Sequence, residues 1–537
     1  MSAVTVVGSG PSGVHFALTL LRRGIGVHMI DAGREGPPPP EAEADFAALR
    51  EALEDPVAYF LGEDLYGLAL PGAAGEFYGF PPQKRFVFEP PPDAAERGEG
   101  FEPLGSWAAG GLARAWTGGV YPFNDEELAE FPFGWSDLEP FYAEVAARIG
   151  VTGARDDLAR FMPWHEGVTD PLDLDPPSRA LLTRYGRVRD RIRRRYGCHV
   201  GRSRIAVLTR PREGRGECGY LGRCLWGCPV GALYTPELTL ADCRRYDGFR
   251  YEGGTLALGF RFDEGRRVRG LRVRPLDGGA EREIPVDRLA LAAGTLSTAR
   301  LFLASWLEGT GRAAELGGLM DNRQVLVPFV RPALIGRRYE PRSYQYHQLS
   351  LGLESEPARE YVHGQITTLT TAQAHPILAT MPFDARTAAF VFRNARASLG
   401  LVNLNFHDSR RETCSVALDA PAGPGEPAVL VTRYRPPADE PARLRSALRR
   451  VKKSLRALGC VVAPGATHIR PMGASVHYAG TLPMSREPRP FTVTREGRSH
   501  DFENLFIVDG STFPFLPAKN ITFTLMANAV RIAGEAF

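Results

Sequence analysis

The chain has 537 residues, of which 44% are hydrophobic and 24% charged, so it is long enough for two or more globular domains. Its formal net charge is +3, and this total gives no electrostatic reason to expect a nucleic-acid partner. No apolar run reaches the roughly 18 residues that would predict a transmembrane helix, so no membrane partner is expected either.

The first predicted elements are a β-branched strand at residues 4–7, a glycine-rich turn at 8–13 and an apolar helix. In such a turn Gly8 allows a tight bend, Gly10 lets the backbone approach a pyrophosphate, and Gly13 lets the helix pack closely. Asp31 follows a second predicted strand at 27–30, where it could accept hydrogen bonds from a ribose diol. The pattern predicts a dinucleotide site and, taken alone, fits NAD and FAD about equally.

A cysteine-rich segment follows at Cys218, Cys224 and Cys228. It reads as the ferredoxin pattern C-x2-C-x2-C-x3-C-P with Leu221 in place of the second cysteine. Three thiolates do not complete the usual four-ligand set, so we expect no bound metal. An iron–sulfur electron-transfer flavoprotein remains an alternative. The first predicted strand begins so near Met1 that we expect no signal peptide, a cytoplasmic location and therefore free thiols.

The middle of the chain is rich in predicted strands. Strands and glycine-rich turns alternate over residues 249–291, and the last strand runs into Ala292-Ala293-Gly294-Thr295 and a helix at 296–305. Strands then dominate residues 320–463, with one helix near 443–458. This order predicts a mixed architecture in which a second domain is inserted between parts of the first.

The C-terminal segments contain a histidine and an asparagine whose side chains are able to assist alcohol oxidation, although the histidine taken alone is better explained as a structural one. His477 lies in the run Ser475-Val476-His477-Tyr478-Ala479-Gly480, and Asn520 directly precedes a predicted helix that starts near Thr522. Imidazole titrates near neutral pH and can accept a hydroxyl proton. An amide can orient the substrate oxygen and donate a hydrogen bond to developing negative charge, and a helix N-terminus suits an anion.

Several of these segments, in this order, resemble the glucose-methanol-choline (GMC) flavin oxidoreductases. The run from His477 to Met484 resembles the family motif HxxGTxxMG, and the last 34 residues resemble its closing segment. Three positions depart from the usual pattern. Ser485 replaces a glycine, Ile521 replaces a proline, and Ala115 stands where pyranose 2-oxidases, the members with the most similar motifs, have the histidine that carries covalent flavin.

The resemblance implies an FAD cofactor bound without a covalent link, and it implies catalytic roles for His477 and Asn520. The positions expected to contact the cofactor are Gly8, Gly10, Ser12, Gly13, Asp31, Ala32, Gly111, Trp116, Thr117, Ala293, Gly294, Asp509, Gly510, Asn520 and Thr522.

The expected fold class is α/β and α+β, with a Rossmann-like FAD-binding domain interleaved with an antiparallel-sheet substrate domain. Residues 1–119, 205–319 and 464–537 are assigned to the first domain, and 120–204 and 320–463 to the second and its helical excursions.

The expected reaction is oxidation of an alcohol group of a sugar, amino sugar or glycoside by hydride transfer to flavin N5. The expected partners are a small polyhydroxylated substrate and oxygen or another electron acceptor. An aminoglycoside substrate, from an antibiotic pathway, is one special case. A lyase that keeps FAD structurally and an oxidase of non-sugar alcohols are the alternatives. The sequence leaves the oligomeric state open.

Overall fold

The structure, a computed structural model, describes residues 3–40, 43–68, 76, 78–91, 94–371, 374–419 and 428–537. It has a mixed α/β architecture with several sheets. The α-helices of the described residues are α1 Pro11–Arg22, α2 Phe46–Ala52, α3 Pro56–Leu61, α4 Arg85–Phe88, α5 Trp135–Ile149, α6 Pro176–Tyr196, α7 Pro236–Cys243, α8 Thr295–Thr310, α9 His375–Ala379, α10 Ala385–Ala395, α11 Glu440–Ala457 and α12 Thr522–Ala536.

The strands of the described residues are β1 Val4–Val7, β2 Val27–Ile30, β3 Glu96–Glu99, β4 Val151–Thr152, β5 Val168–Thr169, β6 Cys198–Arg202, β7 Phe249–Glu252, β8 Thr255–Phe262, β9 Val268–Pro275, β10 Arg282–Pro285, β11 Arg288–Leu291, β12 Glu315–Gly317, β13 Gln324–Val330, β14 Leu349–Leu353, β15 Val362–Thr368, β16 Leu399–Asn405, β17 Asp408–Ser409, β18 Ser415–Asp419, β19 Val429–Arg433, β20 His468–Ile469, β21 Leu505–Ile507 and β22 Phe515–Leu516.

A five-stranded parallel sheet joins distant parts of the chain in the order β21-β11-β1-β2-β7. Its central strand β1 is fully buried, as expected for a parallel sheet covered on both faces. Helix α1 follows β1 and packs against α7 and α12, and α12 also packs against α5. The carboxyl ends of β1, β2, β11 and β21 therefore open at one edge of the sheet, where α/β proteins bind ligands.

A six-stranded antiparallel sheet, in the order β20-β13-β16-β15-β14-β6, forms the second large layer. Successive side chains on a strand point to opposite faces. One face of this sheet carries apolar residues such as Val325, Val402 and Ile366, which pack in one cluster with Leu181 of α6 and Val451 of α11. The other face carries polar side chains and is turned toward the first sheet's open edge.

Four smaller sheets complete the part of the fold that the structure describes: a three-stranded sheet β10-β9-β8, a four-stranded sheet β12-β18-β19-β3, and the two-stranded sheets β17-β22 and β4-β5. Strand β3 lies in the first predicted domain but pairs with β19 of the second, and β20 likewise pairs with β13. The predicted division into domains thus stays a prediction. Among the described helices, we find none that combines the length and the apolar character needed to cross a membrane.

Candidate active site

A cavity of about 640 Å³ lies between the open edge of the parallel sheet and the polar face of the six-stranded sheet. Cofactor and ligand sites in proteins commonly have volumes of about 300–1,000 Å³. Many of the predicted cofactor residues line this cavity: Gly8, Gly10, Ser12, Asp31, Ala32, Gly111, Trp116, Thr117, Ala293, Gly294, Asp509, Gly510, Asn520 and Thr522. Gly13 lies beneath the turn instead. The cavity also reaches Ala115 and His477.

The glycine-rich turn between β1 and α1 has the shape that a pyrophosphate needs. Gly8 has a φ of +102°, and a Cβ there would lie 2.6 Å from the carbonyl oxygen of Ala292, so a side chain is excluded. A Cβ on Gly13 would overlap the carbonyl oxygen of Gly8. A Cβ on Gly10 would meet no protein atom within 4 Å, because this residue faces the cavity at the N-terminus of α1. Backbone N–H groups and the positive end of the helix dipole suit an anionic group there.

The Asp31 carboxylate is buried at the end of β2 and lines the cavity. It accepts hydrogen bonds from the Ser9 hydroxyl and from the Ser9 backbone N–H at 3.3 Å. It also accepts one from the Tyr251 hydroxyl at 2.9 Å. Burial raises the pKa of Asp31 to about 6, against the lowering effect of these hydrogen bonds. Tyr251 comes from β7, the neighbour of β2, and the sequence alone does not connect it to Asp31.

Asp509 connects the start of α8 to the C-terminal loop beside the cavity. Its buried carboxylate accepts hydrogen bonds from the Gly294 N–H at 2.9 Å, the Thr298 hydroxyl at 2.6 Å and the Ser511 N–H at 3.0 Å. Burial raises its pKa. These contacts tie the start of α8 to the C-terminal loop. At Gly510, an added Cβ would lie 2.6 Å from the carbonyl oxygen of Tyr478, so only glycine fits this approach.

His477 and Asn520 are brought together at the far end of the cavity. The Asn520 amide nitrogen lies 3.2 Å from His477 Nε2, although 42 residues separate the two positions in the chain. Both residues line the cavity. The sequence placed the two residues in separate motifs, and the fold makes them one hydrogen-bonded pair.

Residues that the sequence reasoning did not identify hold this pair. The Asn322 Oδ1 atom lies 3.1 Å from His477 Nδ1, and the Gln365 amide donates to Asn520 Oδ1 at 2.8 Å. The His477 backbone N–H donates to Ser475 Oγ at 3.0 Å, and the Ser475 hydroxyl donates to the buried Asp321 carboxylate. The only sequence signal for Gln365 is its place on the polar face of an alternating strand.

The surroundings keep His477 uncharged. Burial lowers the pKa of the His477 imidazole to about 4, and the nearby Arg470 guanidinium acts in the same direction. The side chain is therefore neutral at physiological pH. A neutral imidazole with a free ring nitrogen can accept a proton from a substrate hydroxyl.

Amide side chains dominate the cavity wall beside His477. Gln324, Gln365 and Asn403 project from β13, β15 and β16, and all three line the cavity. Arg470 also lines it, but its charge is balanced by Glu76: its Nε lies 2.7 Å from Glu76 Oε1. Among the described residues that line the whole cavity, the acidic ones are Asp31, Glu281 and Asp509.

The three clustered cysteines lie apart from His477. Cys218, Cys224 and Cys228 line a small separate cavity of about 30 Å³ together with Tyr344. They are free thiols, and burial raises the pKa of Cys218 to about 11. The described residues contain no His, Cys, Asp and Glu group arranged to hold a metal ion. The expected absence of metal stays a prediction. Measuring the iron and acid-labile sulfide content of the purified protein would test it.

The sequence is similar to those of known oxidoreductases. The GMC oxidoreductase C-terminal family model matches residues 410–529. The 2-methyl-1,2-propanediol dehydrogenase of Mycolicibacterium austroafricanum is 26% identical over 437 residues, which are 76% of this chain and 75% of that protein. The 6'''-hydroxyparomomycin C oxidase of Streptomyces lividus is 24% identical over 554 residues, covering 98% of this chain and 90% of that protein.

The fold is also similar to that of a solved structure, pyridoxine 4-oxidase from Mesorbium loti, with a TM-score of 0.61 and 16% identity over 100% of this chain and 99% of that one. The resemblance to GMC oxidoreductases is thus confirmed, by the family model over residues 410–529 and by these relatives over most of the chain. The protein is an alcohol oxidoreductase.

Proposed function

We propose that the protein binds FAD without a covalent link and oxidises a hydroxyl group of a neutral sugar or another polyhydroxylated molecule. The cofactor assignment is supported by the fit of the cavity to a dinucleotide. Gly10 leaves open space at the N-terminus of α1, and the Asp31 carboxylate lines the same cavity, where it would accept hydrogen bonds from a ribose. Ala115, which lines the cavity, cannot form a covalent link to a flavin.

The two domains would bind different molecules, one the cofactor and the other the substrate. The parallel sheet and its flanking helices would form a Rossmann-like cofactor domain, and the six-stranded sheet would bind the substrate. Asp31 would hold the ribose, while Gly8, Gly10 and Ser12 would face the pyrophosphate. When bound, FAD would supply the acceptor for the hydride that leaves the alcohol carbon.

The proton of the alcohol is the part that the protein itself handles. His477 Nε2 would accept the hydroxyl proton, because burial keeps the imidazole neutral and this nitrogen faces the cavity. The Asn520 N–H would orient the same oxygen and stabilise its developing negative charge. Each such group typically contributes roughly 10²-fold to 10⁴-fold in rate.

The amide-lined wall is the observation that carries the substrate proposal. Gln324, Gln365 and Asn403 offer both donors and acceptors, as several hydroxyl groups on one substrate would require. Arg470, which lines this end of the cavity, is paired with Glu76 and donates to Gln324 Oε1 at 2.6 Å. A neutral polyol would therefore suit this wall better than a cation.

An amino sugar is the second candidate, and it is supported by the aminoglycoside-related name of the Streptomyces relative. A protonated amine needs a nearby carboxylate. The Glu76 carboxylate lies close to this end of the cavity, where it accepts a hydrogen bond from Arg470. An amino sugar would thus compete with Arg470 for Glu76.

An anaerobic screen tests the substrate class. Oxygen-free enzyme is mixed separately with neutral pyranoses, amino sugars, short diols and steroids. The loss of flavin absorbance is followed after each mixing. We expect neutral polyols to bleach the flavin fastest and a carbonyl product to form. If only a steroid or a simple alcohol bleached the flavin, the sugar assignment would be ruled out. If no compound bleached the flavin but the enzyme cleaved a cyanohydrin, the lyase alternative would be favoured.

Acid precipitation of the purified protein tests the cofactor assignment. We expect yellow flavin in the supernatant. Flavin that stays with the pellet would contradict non-covalent binding, and stoichiometric NAD without flavin would contradict the cofactor itself.

A further inference from the structure

A chain of hydrogen bonds runs through the catalytic pair and ends on the protein backbone. The Gln365 amide donates to Asn520 Oδ1 at 2.8 Å, and the Asn520 amide lies 3.2 Å from His477 Nε2. His477 Nδ1 lies 3.1 Å from Asn322 Oδ1. The Asn322 amide nitrogen then donates to the carbonyl oxygens of Phe406 at 2.8 Å and Pro517 at 2.9 Å.

The two backbone carbonyls determine the direction of the whole chain. A carbonyl oxygen can only accept, so the Asn322 atom that faces both of them must be the NH₂ group. Its oxygen then faces His477 and must accept, so the proton of a neutral imidazole lies on Nδ1. His477 Nε2 consequently carries the lone pair, and Asn520 must present its NH₂ group there. The Asn520 oxygen is left to accept from Gln365.

We propose that Asn322 and Gln365 are positioning residues that fix the tautomer of His477 and the amide orientation of Asn520 for alcohol oxidation. The inference rests on the proposed roles of His477 and Asn520. Neither positioning residue needs to touch the reacting atoms. They act from the two ends of the chain, Asn322 through the imidazole and Gln365 through the amide.

The direction matters because the reverse arrangement would be inactive. If the chain ran the other way, His477 Nε2 would carry a proton and Asn520 would present its oxygen to the substrate. The site would then lack both the base and the donor for a developing alkoxide. At the Asn322 end, reversal would also leave the Asn322 oxygen facing either the two backbone carbonyl oxygens or an unprotonated Nδ1. Each case sets a buried acceptor against an acceptor, which is unfavourable.

Several ionisable groups lie around this chain. Arg470 lowers the pKa of His477, and Asp321 lies behind Ser475 with its pKa raised by burial to about 7. His347 lies close to Gln365 beside Gly119, His363 occupies the same strand two residues earlier, and Lys519 precedes Asn520. All of these groups are common to the wild type and the variants below, so each variant is compared with wild type at the same pH.

The substitution Gln365→Glu separates positioning from packing, because it preserves shape and makes the donor titratable. A protonated carboxyl can donate to Asn520 as the amide does, whereas an ionised carboxylate can only accept. We expect the rate of flavin reduction, relative to wild type, to be highest at about pH 5 and to fall at least tenfold as the introduced carboxyl ionises. This is the opposite of the wild-type trend, in which the base is lost as pH falls.

Gln365→Leu is the matched control. It removes the hydrogen bond without adding a titrating group, so its rate relative to wild type should not vary with pH. A constant relative rate for Gln365→Glu between about pH 5 and pH 9 would overturn the proposed role of Gln365.

The tautomer itself can be measured without any substrate. In FAD-loaded protein with ¹⁵N-labelled histidine, the His477 signals are identified as those lost in His477→Gln. We expect the wild-type signals of an imidazole protonated at Nδ1, and loss of this single tautomer in Asn322→Ala. An Nε2 proton in the wild type would overturn the inference. If Asn322→Ala does not fold, the wild-type spectrum still tests the tautomer of His477, and the Gln365 variants still test the role of Gln365.

These measurements also separate this inference from the proposed function. If no alcohol reduces the flavin, the proposed function fails, whereas the tautomer of His477 remains observable. If alcohols do reduce the flavin but the tautomer is the wrong one, the positioning roles fail alone.

Discussion

Lys519 forms a buried ion pair directly beside Asn520, the proposed catalytic amide, and replacing Lys519 with methionine should destabilise the protein strongly. Both Lys519 and Glu127 have fully buried side chains, with 0% exposure, and their charged atoms lie 2.6 Å apart. The ammonium also donates to the carbonyl oxygens of Pro122 at 2.7 Å and Phe161 at 2.6 Å. Lys519→Met preserves most of the side-chain volume but removes the charge and all three hydrogen bonds.

The expected cost follows from what is left behind. Removing one partner of a buried ion pair leaves an uncompensated charge and typically costs about 3–5 kcal/mol in the free energy of unfolding. Burial already raises the pKa of Glu127, and loss of the ammonium would raise it further. A carboxyl whose folded pKa lies above its unfolded pKa stabilises the fold at low pH, and this stability is lost as pH rises. The deficit of the variant should therefore be larger near pH 8 than near pH 5.

The assay is urea-induced unfolding of the FAD-loaded protein, followed by flavin fluorescence and tryptophan fluorescence. Lys453→Met is the control, because Lys453 is exposed on α11, and surface substitutions usually change stability by less than about 0.5 kcal/mol. The double variant Lys519→Met with Glu127→Leu should recover much of the loss, since no charge stays buried. A deficit below about 1 kcal/mol for Lys519→Met, or one that does not depend on pH, would refute this reasoning.

Four further predictions concern the cofactor turn and the base. Gly10→Ala should leave the stability of the FAD-free protein unchanged yet weaken FAD binding, because the new methyl group meets no protein atom and enters the cavity. Flavin fluorescence titration measures the affinity, and an unchanged affinity would mean that the pyrophosphate binds elsewhere. Gly13→Val should yield protein that is poorly folded or free of FAD, since its Cβ would overlap the Gly8 carbonyl, and a variant that purifies with full flavin content would contradict the assigned packing. His477→Ala should keep FAD but slow flavin reduction by about 10² or more, while His28→Gln, on β2 outside the cavity lining, should not; stopped-flow traces of normal speed for His477→Ala would disprove its role. Because the base must be neutral and burial lowers its pKa to about 4, wild-type kcat/KM should fall only as pH drops toward that value, and a fall already near pH 7 would point to another group.

Local sequence patterns were sufficient for the parts of the site that one segment builds. The glycine-rich turn, the strand before it and Asp31 after the next strand follow from steric and hydrogen-bonding rules that act over a few residues. Family resemblance added His477 and Asn520, and with them the expectation of an alcohol oxidoreductase. These residues line one cavity in the structure, although their individual roles remain predictions.

Tertiary structure alone decided which side chains support those residues. Tyr251 bonds Asp31 from 220 positions away, and Asn322 contacts His477 across 155 positions. Such contacts are set by the pairing of strands and the packing of layers. A single sequence records the alternation that gives a strand two faces, but it does not record which strand lies beside which. The proposed catalytic pair was therefore identified by family resemblance, whereas the hydrogen-bond direction that would make His477 a base was decided by the fold.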